Sequence, residues 1–511
     1  MTAFNVLVRE LKEKSLSETL PAPAATPELT WLLDNTDTYD AIAAAVQNAR
    51  HSISITQLAF DADFAVRSED SDDTRPVPFI ELLLTASMDR GIPVRILLNS
   101  TLLLDTLKPL RKFVRKKNIG NAPFEMRGMS HFPQLLHAKM LIVDSEIAFL
   151  IGSPFVNGYW DSPAHRPSDL NRPNSELGGR PLHDVSVVVS GQAVEALESF
   201  FNELWSAGRN ANGPRLRRST TRSPGLARVR TTVPSEILDG RPEGSQEILR
   251  ALLNGLGRAR SLIYIEHQYL SSQPVFSAMR QALDREPDLE IIIVANQNPD
   301  VTAYARWQMK AFRKFGLLDH PRAGIFALWS AADAAGDRRE LNQVFVHSKV
   351  VTIDDTWVMC GSANLDGVSL HSYGDDFARW PGRRIFRGIR NIDVVVVVSE
   401  SGSLQVAHAG RLRRRLWDEH LNDHRASAAH RPAGGWVGMW REFAEKNVAL
   451  LNDGRDAPAG SFILPYSTSI KPCNQLEACG IDQSKSGIEL LFKPGWLERT
   501  FSPRWMRNMF L

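Results

Sequence analysis

The chain repeats itself, and the repeat limits its fold more than any other feature. Residues 49–55 (ARHSISI) align with residues 259–265 (ARSLIYI) at an offset of 210 positions. Upstream, Tyr39, Ile42, Ala43 and Val46 match Leu249, Leu252, Leu253 and Leu256 at the same offset. Both sets have the i, i+3, i+4, i+7 spacing of an amphipathic helix. Each copy continues with a second helical segment (80–90 and 275–285) and an apolar strand segment (94–98 and 291–295). Strands alternating with helices are covered on both faces, which predicts an α/β fold. The 511 residues therefore hold two copies of one unit rather than three or four independent domains.

The copies are expected to occupy residues 1–205 and 236–425. The stretch 206–235 between them has seven arginines, no acidic residue and several Gly, Pro, Ser and Thr, and suits a linker. Residues 426–511 have no repeat partner and hold Trp436, Trp440, Trp496 and Trp505; they form either a further packing layer or a surface for lipid or a partner. Three cysteines are too few and too odd in number for a disulfide framework, and free thiols are expected. No apolar stretch approaches the ~18 residues of a membrane span, and the first residues, MTAFNVLVRELKEKSL, have no apolar segment followed by a cleavage site. The expectation is a protein that is soluble or peripheral to a membrane.

The same offset relates two short segments, LLHAKMLIVDSEIAFLIGS and VFVHSKVVTIDDTWVMCGSAN. Both fit H-x-K-x4-D followed by Gly-Ser: His137, Lys139 and Asp144 in the first, His347, Lys349 and Asp354 in the second. Composition matters here, because 46 of the 60 basic residues are arginine and only 14 are lysine. On the order of 0.02 chance matches are expected, so two at repeat-related positions are a strong signal. On a strand, residues i and i+2 share a face, so each His and Lys should emerge side by side. Folding the halves about a pseudo-two-fold axis would then gather two imidazoles and two ammonium groups in one cleft. One imidazole can attack phosphorus while the other protonates the leaving oxygen. The lysines can stabilise negative charge on the phosphoryl oxygens, so no metal or other cofactor is expected.

The duplicated motif resembles that of the phospholipase D superfamily, and three further stretches resemble true phospholipases D. IYIEHQYL (263–270) is similar to their I-Y-I-E-N-Q stretch, with His267 where Asn is usual. NGYWDSP (157–163) is similar to their G-R-W/Y-D segment. PLHDVSVVVSGQAVEAL (181–197) resembles their W-H-D-V strand and helix, with Leu182 in place of Trp. The resemblance spans about 40–425 and implies two pseudo-symmetric phospholipase D-like α/β halves, each a mixed sheet flanked by helices, sharing a central cleft. It also implies a phosphohistidine intermediate, with His137 as nucleophile and His347 as general acid; the pseudo-symmetry leaves the reverse assignment open. Lys139 and Lys349 would hold the phosphate, helped by Ser153, Ser362, Asn364 and, two places out of register, Asn157. Asp184 and Asp393 occupy the positions of the acidic residues that fix the imidazole tautomers. Asp144 and Asp354 look structural, and Glu266 and His267 either line the cleft or form a core pair.

Loops 161–183 and 371–390 are long enough to be mouths of a site. The implied activity is hydrolysis of a phospholipid to phosphatidate at a membrane surface. A phosphatidyltransferase of cardiolipin synthase type and a nucleic-acid phosphodiesterase are the alternatives. A net charge of +2 argues against the last, because nucleic-acid affinity rests on phosphate attraction. Head group, protein partners and cellular location, including export without a cleavable leader, are not readable.

Overall fold

The computed structural model describes residues 28–66, 77–101, 104–169, 172, 179–208, 226–333, 339–372, 388–400, 407–424, 430–454, 458–469, 474–482 and 488–491. The first sheet contains β1 (Leu29–Leu33), β2 (Ile53–Gln57), β3 (Val94–Asn99), β4 (Phe124–Met129), β5 (Met140–Val143), β6 (Ile147–Leu150) and β7 (Val185–Ser190). Their spatial order is β1-β7-β6-β5-β2-β3-β4. The second sheet contains β8 (Ala227–Val233), β9 (Leu262–His267), β10 (Glu290–Ala295), β11 (Ala323–Asp333), β12 (Arg339–Gln343), β13 (Lys349–Ile353), β14 (Trp357–Gly361) and β15 (Asn391–Ser399). Among these strands the order is β8-β15-β14-β13-β9-β10-β11-β12, so β8 to β11 repeat the first sheet; Ser245–Gln246 lies beyond β8 and Ile488–Leu490 beyond β12. Strand directions repeat as well: β2 pairs antiparallel with β5 and parallel with β3, and β9 pairs antiparallel with β13 and parallel with β10. Both sheets are mixed, as expected.

The helices of the first half include α1 (Asp34–Asn48), α2 (Phe79–Arg90) and α3 (Gln192–Ala207); α1 and α2 recur in the second as α4 (Glu247–Leu256) and α5 (Gln273–Arg285). Tyr39, Ile42 and Val46 of α1, and Leu249, Leu252 and Leu256 of α4, are buried. The apolar stripes thus face the sheets, while Ala43 and Leu253 lie at the half-buried margins.

One stretch differs in structure from the sequence reading, and another takes the first of its two alternatives. Part of the stretch read as a linker is strand β8, which pairs with β15 over Ala227–Thr232 and is the counterpart of β1. Its arginines mask the β-branched alternation, and the apolar partner strand supplies the burial that its own sequence does not advertise. The Trp-rich extension is a packing layer where it is described. Trp436 and Trp440 on α7 (Gly435–Asn452) meet Trp417 of α6 (His408–Leu421) at 5.2 Å between ring centroids. Strand β16 (Ser461–Pro465) then pairs with β11. Trp496 and Trp505 lie outside the described residues, as do 373–387 of the second long loop and 173–178 of the first. Cys360 is buried and Cys479 half-buried, both free thiols.

The halves are joined by a common core and by exchanged strands. Leu136, Val185 and Val187 share one apolar cluster with Cys360, Ile392 and Val394. Leu135–Leu136 pairs parallel with Asn391–Ile392, and Leu182–His183 pairs parallel with Phe345–Val346. Each motif therefore begins in a short strand bound to the other half and continues in a strand of its own sheet.

Candidate active site

The two histidines sit where the chain changes sheets. The His137 amide donates to the Ile392 carbonyl (3.0 Å) and the His347 amide to the His183 carbonyl (2.8 Å), both across the halves. The side chains cross in the same way. His137 Nδ1 lies 2.7 Å from Asp393 Oδ1, and His347 Nδ1 lies 2.8 Å from Asp184 Oδ2. Each imidazole is thus oriented by a carboxylate from the other half. The carboxylate accepts the Nδ1 proton, which leaves the Nε2 lone pair as the reactive face.

Lys139 and Lys349 reach the same place. Lys139 Nζ is 3.2 Å from His137 Nε2, and Lys349 Nζ is 3.4 Å from His347 Nε2. All four residues are at most 2% exposed. Burial and the Lys139 charge lower the His137 pKa to about 4, with Lys349 adding to the effect. Burial and Lys349 lower His347 to about 3, with Lys139 contributing. Both lysines therefore act on both imidazoles. Burial and Lys349 bring Lys139 down to about 7; burial brings Lys349 to about 8 against the attraction of Asp184 and Asp393. Between about pH 4 and pH 7 this is a pair of uncharged imidazoles beside desolvated ammonium groups, which suits an anion with a phosphorus electrophile.

The hydroxyls tie the carboxylates down. Ser362 Oγ donates to Asp393 Oδ1 (2.7 Å), and Ser153 Oγ donates to Asp184 Oδ2 and lies 3.3 Å from His347 Nδ1. The Gly of each Gly-Ser has a steric reason: a Cβ at Gly152 would overlap the Asp184 carboxylate, and one at Gly361 the Val394 carbonyl. Asn364 is buried with Oδ1 unpaired among the described residues. Asn157 holds the amide of Ala65 (3.3 Å) and donates to the Asp63 carbonyl (3.2 Å), so its side chain fastens a neighbouring loop. Asp144 accepts the amides of Arg50, His51 and Ser52 at 2.6–2.9 Å; Asp354 accepts those of Arg260, Ser261 and Leu262 at 2.8–2.9 Å. Each clamps the turn that leads into β2 or β9.

Glu266 and His267 part company. Glu266 is fully buried, accepting from Tyr264 Oη (2.8 Å), Ser348 Oγ and His420 Nε2 (3.0 Å). His267 stands opposite Lys349 in the β9–β13 pairing, and neither ring nitrogen has a hydrogen-bond partner among the described residues. Sequence reasoning missed Asn35, whose amide donates to Ser153 Oγ (3.0 Å), and Tyr159, whose ring meets His347 edge-on at 4.9 Å. Neither lies in the repeated motif; Tyr159 sits inside the NGYWDSP segment, where its side chain could have been noted.

Residues 252–391 match the family model described as cardiolipin synthase, PLD-like domain. The chain is 23% identical to phospholipase D A of Dictyostelium discoideum over 463 residues, covering 76% of this chain and 35% of that protein. It is 23% identical over 359 residues to cardiolipin synthase A of Pseudomonas entomophila, covering 68% of this chain and 63% of that protein. The chain is thus similar to proteins of the phospholipase D superfamily, and residues 252–391 match a PLD-like domain. It spans about a third of the length of the Dictyostelium relative. The phospholipase D-like fold is further seen in a phosphatidylserine synthase of Haemophilus influenzae (TM-score 0.50, 12% identity, 81% of this chain and 90% of that one). Among the described residues, no helix is long and apolar enough to cross a membrane.

Proposed function

We propose that the chain is a phospholipase D that hydrolyses the head-group phosphodiester of a glycerophospholipid to phosphatidate. The observation that carries this reading is the crossed pair His137–Asp393 and His347–Asp184, each imidazole beside a buried lysine. His137 Nε2 attacks phosphorus, and a phosphohistidine forms as the P–O bond to the head group breaks. His347 supplies the proton that the departing alkoxide takes up, then removes a proton from water as water attacks phosphorus and releases His137. His347 is uncharged in the free protein because of burial and the lysines; an anionic phosphate between the ammonium groups offsets their charge and allows it to carry the proton. Lys139, Lys349 and Asn364 hold the non-bridging oxygens, while Ser153 and Ser362 fix the two aspartates.

A phosphatidyltransferase is the second reading, favoured by the family model over 252–391 and by the cardiolipin synthase relatives. It shares the intermediate and differs only in the acceptor, a lipid hydroxyl instead of water.

Mixed phospholipid vesicles with added 1-butanol test both. Phosphatidate and phosphatidylbutanol, absent with His137→Ala or His347→Ala, support the first reading; a diphosphatidyl product without phosphatidate supports the second. Cleavage of supercoiled plasmid with intact lipid would sink both.

A further inference from the structure

A second histidine–carboxylate cluster lies directly behind Asp184, with its charge arranged in the opposite sense. Asp34 is the first residue of α1, His165 lies in the loop after β6, His183 precedes Asp184, and Glu419 is on α6. Asp34, His165 and His183 are fully buried, and the Glu419 side chain is 15% exposed. One donor atom from each of the four lies within 4.8 Å of every other. His183 Nδ1 is 3.0 Å from Asp34 Oδ1 and 2.9 Å from Glu419 Oε1. His165 Nε2 is 3.1 Å from Glu419 Oε1 and 3.5 Å from Asp34 Oδ2. Four donors bonded at ~2.0–2.1 Å to a tetrahedral ion stand about 3.3 Å apart.

The geometry points to a structural metal site in which Asp34, His165, His183 and Glu419 bind one divalent transition-metal ion of zinc type. His183 Nδ1 makes no aligned hydrogen bond, despite the close carboxylates, and Asp34 Oδ2 also lacks one. These are buried polar atoms facing the middle of the cluster, where a cation would satisfy them. The outer nitrogens are furnished as metal-bound imidazoles usually are, each beside a carboxylate. His165 Nδ1 lies 2.9 Å from Asp161 Oδ2, and His183 Nε2 lies 2.7 Å from Glu266 Oε1. Those carboxylates are held in turn, Asp161 by Arg172 (2.6 Å) and the Leu182 amide (2.7 Å), Glu266 by Tyr264 and His420.

The contrast with the active site supports the assignment. There, a carboxylate-backed imidazole faces a lysine and suits an anion. Here, two carboxylate-backed imidazoles face two further carboxylates and suit a cation. A divalent ion held by the four residues offsets that negative charge. The set is closed, with four protein ligands and little solvent access, so the ion is a positioning element and not a catalyst. It acts on Asp184 through Asp34, whose amide donates to the Asp184 carbonyl (2.8 Å) and whose Oδ1 accepts the Asp184 amide (3.3 Å).

The test is elemental analysis of the full-length protein purified without chelator, with cobalt(II) and zinc titrated into chelator-treated protein while proton release and Tm are followed. About one metal ion per chain is expected, with proton release on binding, the visible absorption of tetrahedral cobalt and a raised Tm. Glu419→Gln and His165→Ala should lose the ion, whereas His137→Ala keeps it. Metal-free protein that takes up neither ion, with Tm unchanged, overturns the site. So does stoichiometric metal retained by both ligand variants. Neither readout depends on lipid turnover, so the site and the proposed activity stand or fall separately.

Discussion

At the level of single residues, the site depends on holding His137 uncharged beside a charged Lys139. Burial and Lys139 keep the imidazole neutral above about pH 4, and burial and Lys349 let Lys139 lose its proton near pH 7. Lowering pH through about 4 therefore protonates the proposed nucleophile, and raising it through about 7 strips the charge proposed to bind phosphate. The kcat/KM profile on soluble short-chain lipid is expected to fall on both sides. A profile flat from about pH 3 to 9 contradicts this. His137, Lys139, His347 and Lys349 were legible because lysine is scarce and the motif occurs twice. Asn35 was not, because it acts through a contact made only on folding and belongs to no spaced pattern; Tyr159 lay in a quoted segment, but its contact with His347 is likewise made only on folding.

At the level of elements, the repeat was legible wherever periodicity was strong, as in α1 and α4. It was hidden where tertiary partners override local pattern, as in β8, whose Arg228 and Arg230 obscure its β-branched alternation. The change of sheet at each motif also left no sequence trace, since Leu135–Leu136 reads as part of the strand that follows. Asp144 and Asp354 make the clearest prediction at this scale. Each satisfies three backbone amides, so Asp144→Ala and Asp354→Ala should each destabilise the fold by about 1–3 kcal/mol. Denaturant midpoints measure this, and activity per folded molecule should survive better than stability. Unchanged midpoints would remove the clamping role.

For the whole molecule, the two halves complete each other. Asp393 serves the first motif and Asp184 the second, so Asp393→Asn should slow the first chemical step and Asp184→Asn the second. With a p-nitrophenyl ester of phosphatidate, Asp393→Asn should lower the burst rate by about 10²–10⁴-fold. Asp184→Asn should keep the burst and lose steady turnover; equal effects on both phases would contradict the crossing. Sequence could nominate these aspartates but not assign them, because an offset carries no information about which half faces which. The extension belongs to the same core, since Trp440 is fully buried among Phe326, Trp417 and Tyr264. Trp440→Ala should cost about 3–5 kcal/mol in denaturant unfolding; a loss below about 1 kcal/mol would make the extension an appendage.

The most direct measurement uses His347→Ala with the same ester. Its good leaving group needs no proton, while the missing His347 leaves water unactivated, so the covalent intermediate should accumulate. Acid-labile phosphatidyl mass on the peptide containing His137, formed with one nitrophenolate released per site, is the expected result. No adduct at His137, with turnover equal to that of the unaltered protein, would contradict covalent transfer through this residue.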